Sequence, residues 1–292
     1  MALYAFDGTW NKERDAGEYG KNTNVVRFKD LYAGKKFFYK GVGTKHGAIG
    51  KLFGGAFGVG GHERIDDATK DLAAQIAGGD DKVDIIGFSR GAALAVNFAN
   101  VLADGIAVTR QGATVTVRPT VRFLGLWDVV AAFGIPIDIG IRFSRINLGY
   151  KLTPPTNVEY CFHALALDER RQAFRPTRIT KGYEAWFRGV HSDVGGGNEN
   201  RALNDITLRW MLSKALAVEL PLAANCIGTS CTRIDAAARI GENRDHIENK
   251  PRSVGPGDRV HYSVTDRPDH VNPPATCLRE TEATERTGIR LD

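Results

Sequence analysis

Residues 83–92 have the sequence VDIIGFSRGA, in which an apolar run leads into the pattern Gly-x-Ser-x-Gly at 87–91. Val83–Ile86 has the length and composition of a buried strand, and apolar residues recur at helical spacing over 92–102. The pattern therefore lies at a sharp turn between a strand and a helix. Such a turn exposes its serine, and a side chain at either glycine would collide with neighbouring backbone. We predict that Ser89 is a nucleophile.

Strand-like runs alternate with helical patterns along the chain. The predicted strands are Leu3–Phe6, Lys36–Lys40, Val83–Phe88, Thr120–Trp127 and Tyr183–Val190. The predicted helices are Arg64–Ala77, Ala92–Leu102, Val158–Arg171 and Ala202–Val218. This order is typical of an α/β protein with a mainly parallel sheet and helices on both faces. Together with the turn at 87–91, it predicts an α/β-hydrolase-like fold.

The length of 292 residues, 42% of them hydrophobic, allows one large domain. We expect that domain over residues 1–275, with a polar tail at 276–292. From Gly241 onward the sequence is polar and interrupted by prolines, so mostly loops are expected there. Residues 41–61 are rich in glycine and carry two phenylalanines, which suits a mobile loop. That loop is either a lid or acyl-chain wall over the site, or a flexible surface loop.

Several classes of protein are disfavoured by composition. No apolar stretch approaches the roughly 20 residues that span a bilayer, and the first residues lack the features of a signal peptide. We therefore expect a soluble chain that begins in the cytoplasm. The four cysteines lack Cys-x-x-Cys spacing, which argues against a zinc site or a dense disulfide framework. A pairing of Cys226 with Cys231 stays open.

The net charge of +5 indicates either an ordinary solvated basic surface or attraction to an anionic surface, such as phospholipid headgroups. The sequence contains no recognisable nucleic-acid-binding module, so nucleic acid is not an expected partner.

Two patterns that suggest phosphate chemistry are incomplete. A phosphate-binding loop that ends at Gly50-Lys51 would need glycine at 45 and serine or threonine at 52, but Lys45 and Leu52 stand there. Asp7-Gly8-Thr9 is similar to part of a phosphatase motif, yet Ala5 occupies the position of the required first aspartate. A nucleotide-binding loop and that phosphatase chemistry are both disfavoured.

A serine nucleophile needs a base to take its proton and an acid to orient that base, in the chain order serine, acid, histidine for this fold. The strand predicted over 121–127 delivers Asp128 to the same edge of the sheet as Ser89. Asp128 is therefore the predicted acid, and the alternative is an aspartate that caps the next turn. Asp193 is an alternative acid, although a structural role in the following glycine loop suits it better.

The candidate bases are the histidines that follow Asp128, namely His163, His191, His246, His261 and His270. His191 comes directly after a predicted strand and opens a loop with three consecutive glycines, which places it at the catalytic edge. His163 lies in an apolar stretch that we interpret as helical, where a hydrogen-bonded core histidine is expected. His261 and His270 lie in the polar C-terminal region and are weaker candidates. We predict that His191 is the base.

The oxyanion of an acyl-transfer intermediate needs N–H donors from two places. One is the amide after the nucleophile, which belongs to Arg90. The other comes from a loop after an early strand, and residues 6–11 (FDGTWN) supply such a loop. There Gly8 allows close approach to substrate and Thr9 adds an amide or hydroxyl, unless Asp7-Gly8-Thr9 is simply a tight turn. This chemistry needs no metal and no organic cofactor.

Several separated segments together resemble the α/β-hydrolase domain of type VI secretion lipase effectors. They are Phe6–Asn11, Gly87–Ala92, Gly125–Asp128, His163–Arg171, Gly189–Gly197 and Val260–Val264. The resemblance implies a Ser-Asp-His hydrolase, often a phospholipase A acting on bacterial glycerophospholipids, with Ser89, Asp128 and His191 as its triad. It also implies contact with a membrane surface, secretion-apparatus and immunity proteins as partners, and export into a target cell.

This chain departs from that family's pattern at two positions. Val129 stands where the family usually has threonine or serine, and Asn198 where it often has an aromatic residue. The effectors also commonly carry long additional membrane-binding regions. Two other functions therefore stay open: a soluble esterase for short acyl chains, and a catalytically silent hydrolase-fold protein that binds a lipid or a partner.

Overall fold

The computed structural model describes residues 1–8, 21–41, 56–131, 150–171, 174–241, 251–267 and 276–280. The strands are β1 (Ala2–Phe6), β2 (Lys35–Tyr39), β3 (Lys82–Phe88), β4 (Ile106–Arg110), β5 (Ala113–Val117), β6 (Thr120–Trp127), β7 (Val158–Ala166), β8 (Tyr183–Phe187), β9 (Arg259–His261) and β10 (Leu278–Glu280). The helices are α1 (Asn24–Leu31), α2 (Ala56–Ile76), α3 (Ser89–Asp104), α4 (His191–Gly195), α5 (Arg201–Ala217), α6 (Cys226–Ser230) and α7 (Tyr262–Thr265).

Eight of these strands form one sheet in the order β10-β9-β8-β7-β6-β3-β1-β2, and the described neighbours within it all pair in parallel. The remaining two, β4 and β5, form a separate antiparallel hairpin. One face of the sheet packs against α2 and α3 through residues such as Leu72 and Phe98. The other face packs against α1 and α5 through residues such as Phe28 and Trp210. This confirms the predicted α/β fold.

The parallel arrangement places the carboxyl ends of the strands at one edge of the sheet, here called the carboxyl edge. Asp7 follows β1, Ser89 follows β3, Asp128 follows β6, and Glu169 and His191 come shortly after β7 and β8. Open α/β sheets bind their ligands along this edge, because the loops that leave the strands converge there. The fold therefore gathers polar side chains that lie far apart in sequence.

The helix predicted over Val158–Arg171 is wrong, because residues 158–166 form the strand β7. This strand lies between β6 and β8, and most of its residues are buried. Strands that are covered on both faces lose the alternation of apolar and polar residues, so a short apolar run cannot be told from a buried helix by its pattern. His163 consequently lies on a strand.

The glycine-rich loop predicted over 41–61 is partly wrong, because α2 begins at Ala56. Glycine weakens a helix by about 1 kcal/mol relative to alanine, so the sequence predicts a loop there. Gly61 has a packing role, since a Cβ atom at this position would lie 2.1 Å from the hydroxyl oxygen of Tyr150. Residues 42–55 of the predicted loop lie outside the described residues.

The C-terminal region adds two strands to the sheet where the sequence predicts loops and a tail from residue 276. The strand β10 is only three residues long, and its Glu280 is buried. The Glu280 carboxylate accepts hydrogen bonds from the Tyr183 hydroxyl and from Trp210 Nε1, and forms an ion pair with Lys214. These contacts, rather than an apolar pattern, hold β10 on the sheet. The remainder of the predicted tail, 281–292, lies outside the described residues.

All four cysteines are free thiols, so the pairing of Cys226 with Cys231 is not formed. Within the described ranges, the helices are all too short or too polar to cross a membrane.

Candidate active site

Ser89 begins helix α3 directly after strand β3, with a backbone φ of 59°. A positive φ is costly for a residue with a Cβ atom and occurs mainly where the surrounding structure enforces it. The flanking glycines are part of that enforcement. A Cβ atom at Gly87 would lie 2.7 Å from Ala92 Cα, and one at Gly91 would lie 2.4 Å from the backbone oxygens of Phe6 and Asp7. We call residues 87–91 the serine turn, and its geometry is the one that the sequence predicts.

The N-terminus of α3 faces the carboxyl edge because the helix starts at the end of β3. The residue that precedes the helix, Phe88, provides no side-chain cap. The first N–H groups of an α-helix have no partner within the helix, and the helix dipole makes this end partially positive. The Arg90 amide lies in this first turn. The serine turn thus presents N–H groups of the kind that can bind an oxyanion.

Asp128 and His191 are in direct contact, and both are buried. His191 Nδ1 lies 2.6 Å from Asp128 Oδ2. The other carboxylate oxygen, Oδ1, accepts a hydrogen bond of 3.0 Å from the amide of Ala166. An ionised carboxylate only accepts hydrogen bonds, so Nδ1 of His191 carries the proton and Nε2 has a lone pair. This arrangement leaves the imidazole able to act as a base.

The electrostatic environment favours ionised Asp128 and neutral His191. Burial opposes ionisation of Asp128, but the charge of Arg252 and the hydrogen bond from His191 outweigh it, so the pKa of Asp128 lies well below its usual range. Burial lowers the pKa of His191, although Asp128 and Glu169 oppose this shift. At neutral pH the imidazole is therefore uncharged, as a general base must be.

Ser89 also lies at the carboxyl edge, and its segment contacts the segments that carry this pair. Its backbone oxygen accepts a hydrogen bond of 3.2 Å from the amide of Val130, two residues after Asp128. The ring of its neighbour Phe88 packs on His191 with the ring centroids 4.6 Å apart. The structure thus brings the segments that carry Ser89, Asp128 and His191 together.

The loop after β1 lies next to the serine turn, because the backbone of Phe6 and Asp7 closely approaches Gly91. The amide of Gly8, however, donates a hydrogen bond of 2.7 Å to Asp7 Oδ1. Gly8 can bind an oxyanion only if this hydrogen bond is exchanged for one to substrate. Thr9, the third predicted oxyanion residue, lies outside the described residues.

Two buried charged residues at the site have no predicted role. Glu169 accepts a hydrogen bond of 3.1 Å from the backbone amide of His191 and is paired with Arg171. Arg252 donates to both oxygens of Asp128. Glu169 lies in a segment that carries the family resemblance, so the sequence contains a signal that could identify it. Arg252 lies in a polar stretch far along the chain, where nothing in the sequence distinguishes it from arginines that lie on the surface.

The alternative acid, Asp193, serves a structural purpose. Its carboxylate accepts hydrogen bonds from the amides of Val190 and Gly241 and from the side chains of Asn198 and Asn200. These contacts hold the glycine loop that follows His191, as the sequence predicts. Asn198, which replaces the aromatic residue common in the resembled family, is part of this arrangement.

The alternative histidines have other partners than the Asp128 carboxylate, or lie outside the described residues. His163 is buried, accepts a hydrogen bond of 3.0 Å from the amide of Val129, and contacts Glu184 through Nδ1 at 2.9 Å. It is a core histidine, as predicted, although on a strand. His261 stacks on Phe187 and contacts Ser263. The other two candidates, His246 and His270, lie outside the described residues.

Within the described part of the chain, no group of three or more His, Cys, Asp or Glu side chains is arranged to hold a metal ion.

Two solved structures resemble this chain, and the first of them supports the fold. An uncharacterized protein from Pseudomonas aeruginosa superposes with a TM-score of 0.54 at 19% identity, over 80% of this chain and 49% of that one. The Tle1 effector bound to the VgrG spike of the type 6 secretion system has a TM-score of 0.46 at 24% identity, over 68% of this chain and 50% of that one. This chain therefore spans about half the length of each of these two structures.

Sequence comparison adds a curated relative and a family. An uncharacterized protein of Saccharomyces cerevisiae is 24% identical over 137 residues, which is 44% of this chain and 20% of the yeast protein. A family model described as the catalytic domain of Tle1-like phospholipase effectors of the type VI secretion system matches residues 3–115 and 106–214. Since these matches cover most of the chain and include Ser89, Asp128 and His191, the chain belongs to the Tle1-like phospholipase effector family.

Proposed function

We propose that this chain is a serine ester hydrolase that acts as a phospholipase A on bacterial membrane glycerophospholipids, with Ser89, Asp128 and His191 as its catalytic triad. One observation carries the proposal. Ser89 stands at a positive φ at the start of α3, on the same sheet edge as the 2.6 Å contact between Asp128 and His191. Membership of a phospholipase effector family supports the choice of a lipid ester.

In the proposed mechanism, His191 Nε2 takes the proton from Ser89 Oγ as the oxygen attacks the ester carbonyl carbon. The tetrahedral intermediate collapses when imidazolium gives this proton to the leaving alcohol, and the acyl group stays on Ser89. Water, deprotonated by His191, then attacks the acyl-enzyme; the bond between the acyl carbon and Ser89 Oγ breaks, His191 returns the proton to Oγ, and the fatty acid is released. Asp128 holds the imidazole in the tautomer that both steps require.

We further propose that the oxyanion binds at the N-terminus of α3, with the Arg90 amide as one donor. The Gly8 amide becomes the second donor when substrate displaces the Asp7 carboxylate from it. Because the Gly8 amide is bound to Asp7 in the absence of substrate, the oxyanion hole would be complete only when substrate is bound.

Family membership also supports a biological setting. We propose that the protein is delivered into a target cell by a type VI system, with a component of the secretion apparatus and an immunity protein as partners. The net charge of +5 supports contact with the anionic surface of the membrane that holds the substrate.

The first test is covalent labelling with a fluorophosphonate probe, which reacts with activated serines. We expect the parent protein to be labelled and the Ser89→Ala variant not to be. Ser213→Ala is the matched control, because Ser213 is also buried but lies on α5. Labelling that persists in Ser89→Ala would show that another residue is the nucleophile.

The second test separates substrates. Phospholipid vesicles and a dissolved short-chain ester are each incubated with the parent and with Ser89→Ala, Asp128→Asn and His191→Gln. Vesicle hydrolysis by the parent that is lost in all three variants supports the phospholipase. Turnover of the dissolved ester alone would favour the short-chain esterase, and no turnover of either would favour a lipid- or partner-binding protein.

A further inference from the structure

The side chain of Arg252 is buried, and its guanidinium group contacts the candidate catalytic acid. The side chain is 5% exposed. Nη1 donates to Asp128 Oδ1 at 2.7 Å and Nη2 donates to Oδ2 at 3.1 Å. The same two nitrogens also donate to the backbone oxygens of Ala166 and Phe174. The group therefore joins the carboxylate to the backbone at the end of β7 and at Phe174.

The segment that carries Arg252 is independently anchored, so this contact does not depend on the arginine alone. Asp258, six residues later, accepts hydrogen bonds from Arg178 Nη2 at 2.7 Å, Trp186 Nε1 at 3.0 Å and the Gly255 amide at 2.9 Å. These partners fix the segment against β8. The segment on the C-terminal side of Arg252 is thus anchored independently of the guanidinium group.

A fully buried carboxylate beside a neutral imidazole is a buried net charge, which is costly unless another group compensates it. Arg252 supplies that compensation. It also shares Oδ2 with His191, so the plane of the carboxylate is determined by two partners rather than one. A two-point contact of this kind restricts rotation of the carboxylate, which a single hydrogen bond does not.

We propose that Arg252 is a positioning residue that fixes the carboxylate of Asp128 for His191 and sets the pH at which His191 becomes protonated. The inference rests on the proposed function, because it gives Asp128 and His191 their triad roles. Arg252 acts through Asp128 and does not itself touch the reacting atoms.

The sign of the pH effect follows from the charges around His191. Asp128 and Glu169 face it from the ends of β6 and β7, and Glu169 is itself paired with Arg171. Asp193, on the same helix as His191, directs its carboxylate to the amides of Val190 and Gly241 and to two asparagine side chains. Removal of Arg252 leaves the Asp128 carboxylate facing His191 without its cation, while Glu169 keeps Arg171. The imidazolium form then becomes more stable, and it cannot accept a proton from Ser89.

The experiment compares Arg252→Gln and Arg252→Lys with the parent. For each protein, kcat and kcat/KM for a dissolved ester are measured against pH, and the imidazole of His191 is titrated by NMR. We expect Arg252→Gln to move the acid limb and the titration midpoint upward by roughly one pH unit, the scale of one neighbouring charge. Arg252→Lys should keep the parent's acid limb but lower kcat, because an ammonium cannot donate to both oxygens as a planar fork does.

Arg267→Gln is the matched control. Arg267 is a buried arginine in the same segment, and its Nη1 donates to the backbone oxygens of Ala236 and Ala238. Its loss should leave the acid limb in place, even if stability falls.

An acid limb and a titration midpoint in Arg252→Gln that coincide with the parent's would overturn the proposal. If Arg252→Gln does not fold, Arg252→Lys decides: parent-like kcat refutes the positioning role, and reduced kcat with an unmoved acid limb supports it. The NMR titration needs no turnover. A shift of His191 in Arg252→Gln, in a protein whose parent hydrolyses nothing, would sustain the positioning role while the proposed function fails.

Discussion

Replacement of Gly91 by alanine should damage the site through a single methyl group. A Cβ atom at Gly91 would lie 2.4 Å from the backbone oxygens of Phe6 and Asp7. Since real Cβ atoms essentially never lie closer than 3.0 Å to such atoms, the loop after β1 and the start of α3 must separate by about 0.6 Å. Both obstructing atoms belong to the backbone, so no side chain can rotate away. The methyl group therefore moves two sides of the proposed oxyanion site apart.

The expected size of the effect follows from the displacement. Overpacking of a rigid core costs about 1–3 kcal/mol, and each kcal/mol lowers Tm by about 3 °C in a chain of this size. A misplacement approaching 1 Å at a reacting centre costs on the order of 100-fold in rate. We expect Gly91→Ala to fold, with a lowered Tm and a much larger loss of fluorophosphonate labelling rate than its stability change explains.

The assay pairs thermal unfolding with the labelling rate, and Gly78→Ala is the control. Gly78 follows α2, and a Cβ atom there would meet no atom within 4 Å. Gly78→Ala should therefore have nearly the same Tm and labelling rate as the parent. A Gly91→Ala protein with the parent's labelling rate and Tm would refute the close approach between the serine turn and the loop after β1.

Three further outcomes are expected. Because burial lowers the pKa of His191, the acid limb of the kcat/KM profile should lie below pH 6.5, the ordinary pKa of histidine. An acid limb above pH 6.5 would contradict a neutral buried base. Burial, with the charges of Lys214, Arg209 and Arg279, lowers the pKa of His261 to about 3. As the pH falls, His261 is therefore protonated at a higher pH in the unfolded chain than in the folded protein. The free energy of unfolding should therefore fall by up to about 1.4 kcal/mol per pH unit between pH 6.5 and 3 from this group, and urea titrations of His261→Gln should show a shallower slope. Glu280→Ala leaves buried Lys214 without its carboxylate and should cost about 3–5 kcal/mol in urea unfolding, whereas Arg279→Gln, which breaks an exposed pair with Asp266, should cost less than about 1 kcal/mol. Equal effects of these last two variants would contradict the anchoring of β10.

The parts of the fold that the sequence predicts correctly are those with a strong local signal. The strand before Ser89, the helix after it and the strand before Asp128 are each marked by periodicity or by a continuous apolar run, and all three are present. Asp128 and His191 could be paired in advance because parallel strands end at a common edge.

The errors arise where tertiary contacts decide the structure. Residues 158–166 form a strand because β6 and β8 flank them, which no property of the segment itself reveals. The strand β10 depends on the partners of Glu280 more than on its own three residues. Arg252 and the Gly8 amide have partners that only the assembled fold identifies, and the arginine is separated from Asp128 by more than a hundred residues.

The order of strands in the sheet bears on how the protein is made. From β6 onward, each later strand of the sheet lies beside the one that precedes it in the chain, through β7, β8 and β9 to β10. A chain that emerges from the ribosome can add these strands one at a time without disturbing pairs already formed. Until each successor arrives, however, the newest strand is an open edge able to pair with a foreign strand. A chain that stalls between β7 and β9 would therefore expose such an edge, so interrupted synthesis is a stage at which this protein is prone to aggregate.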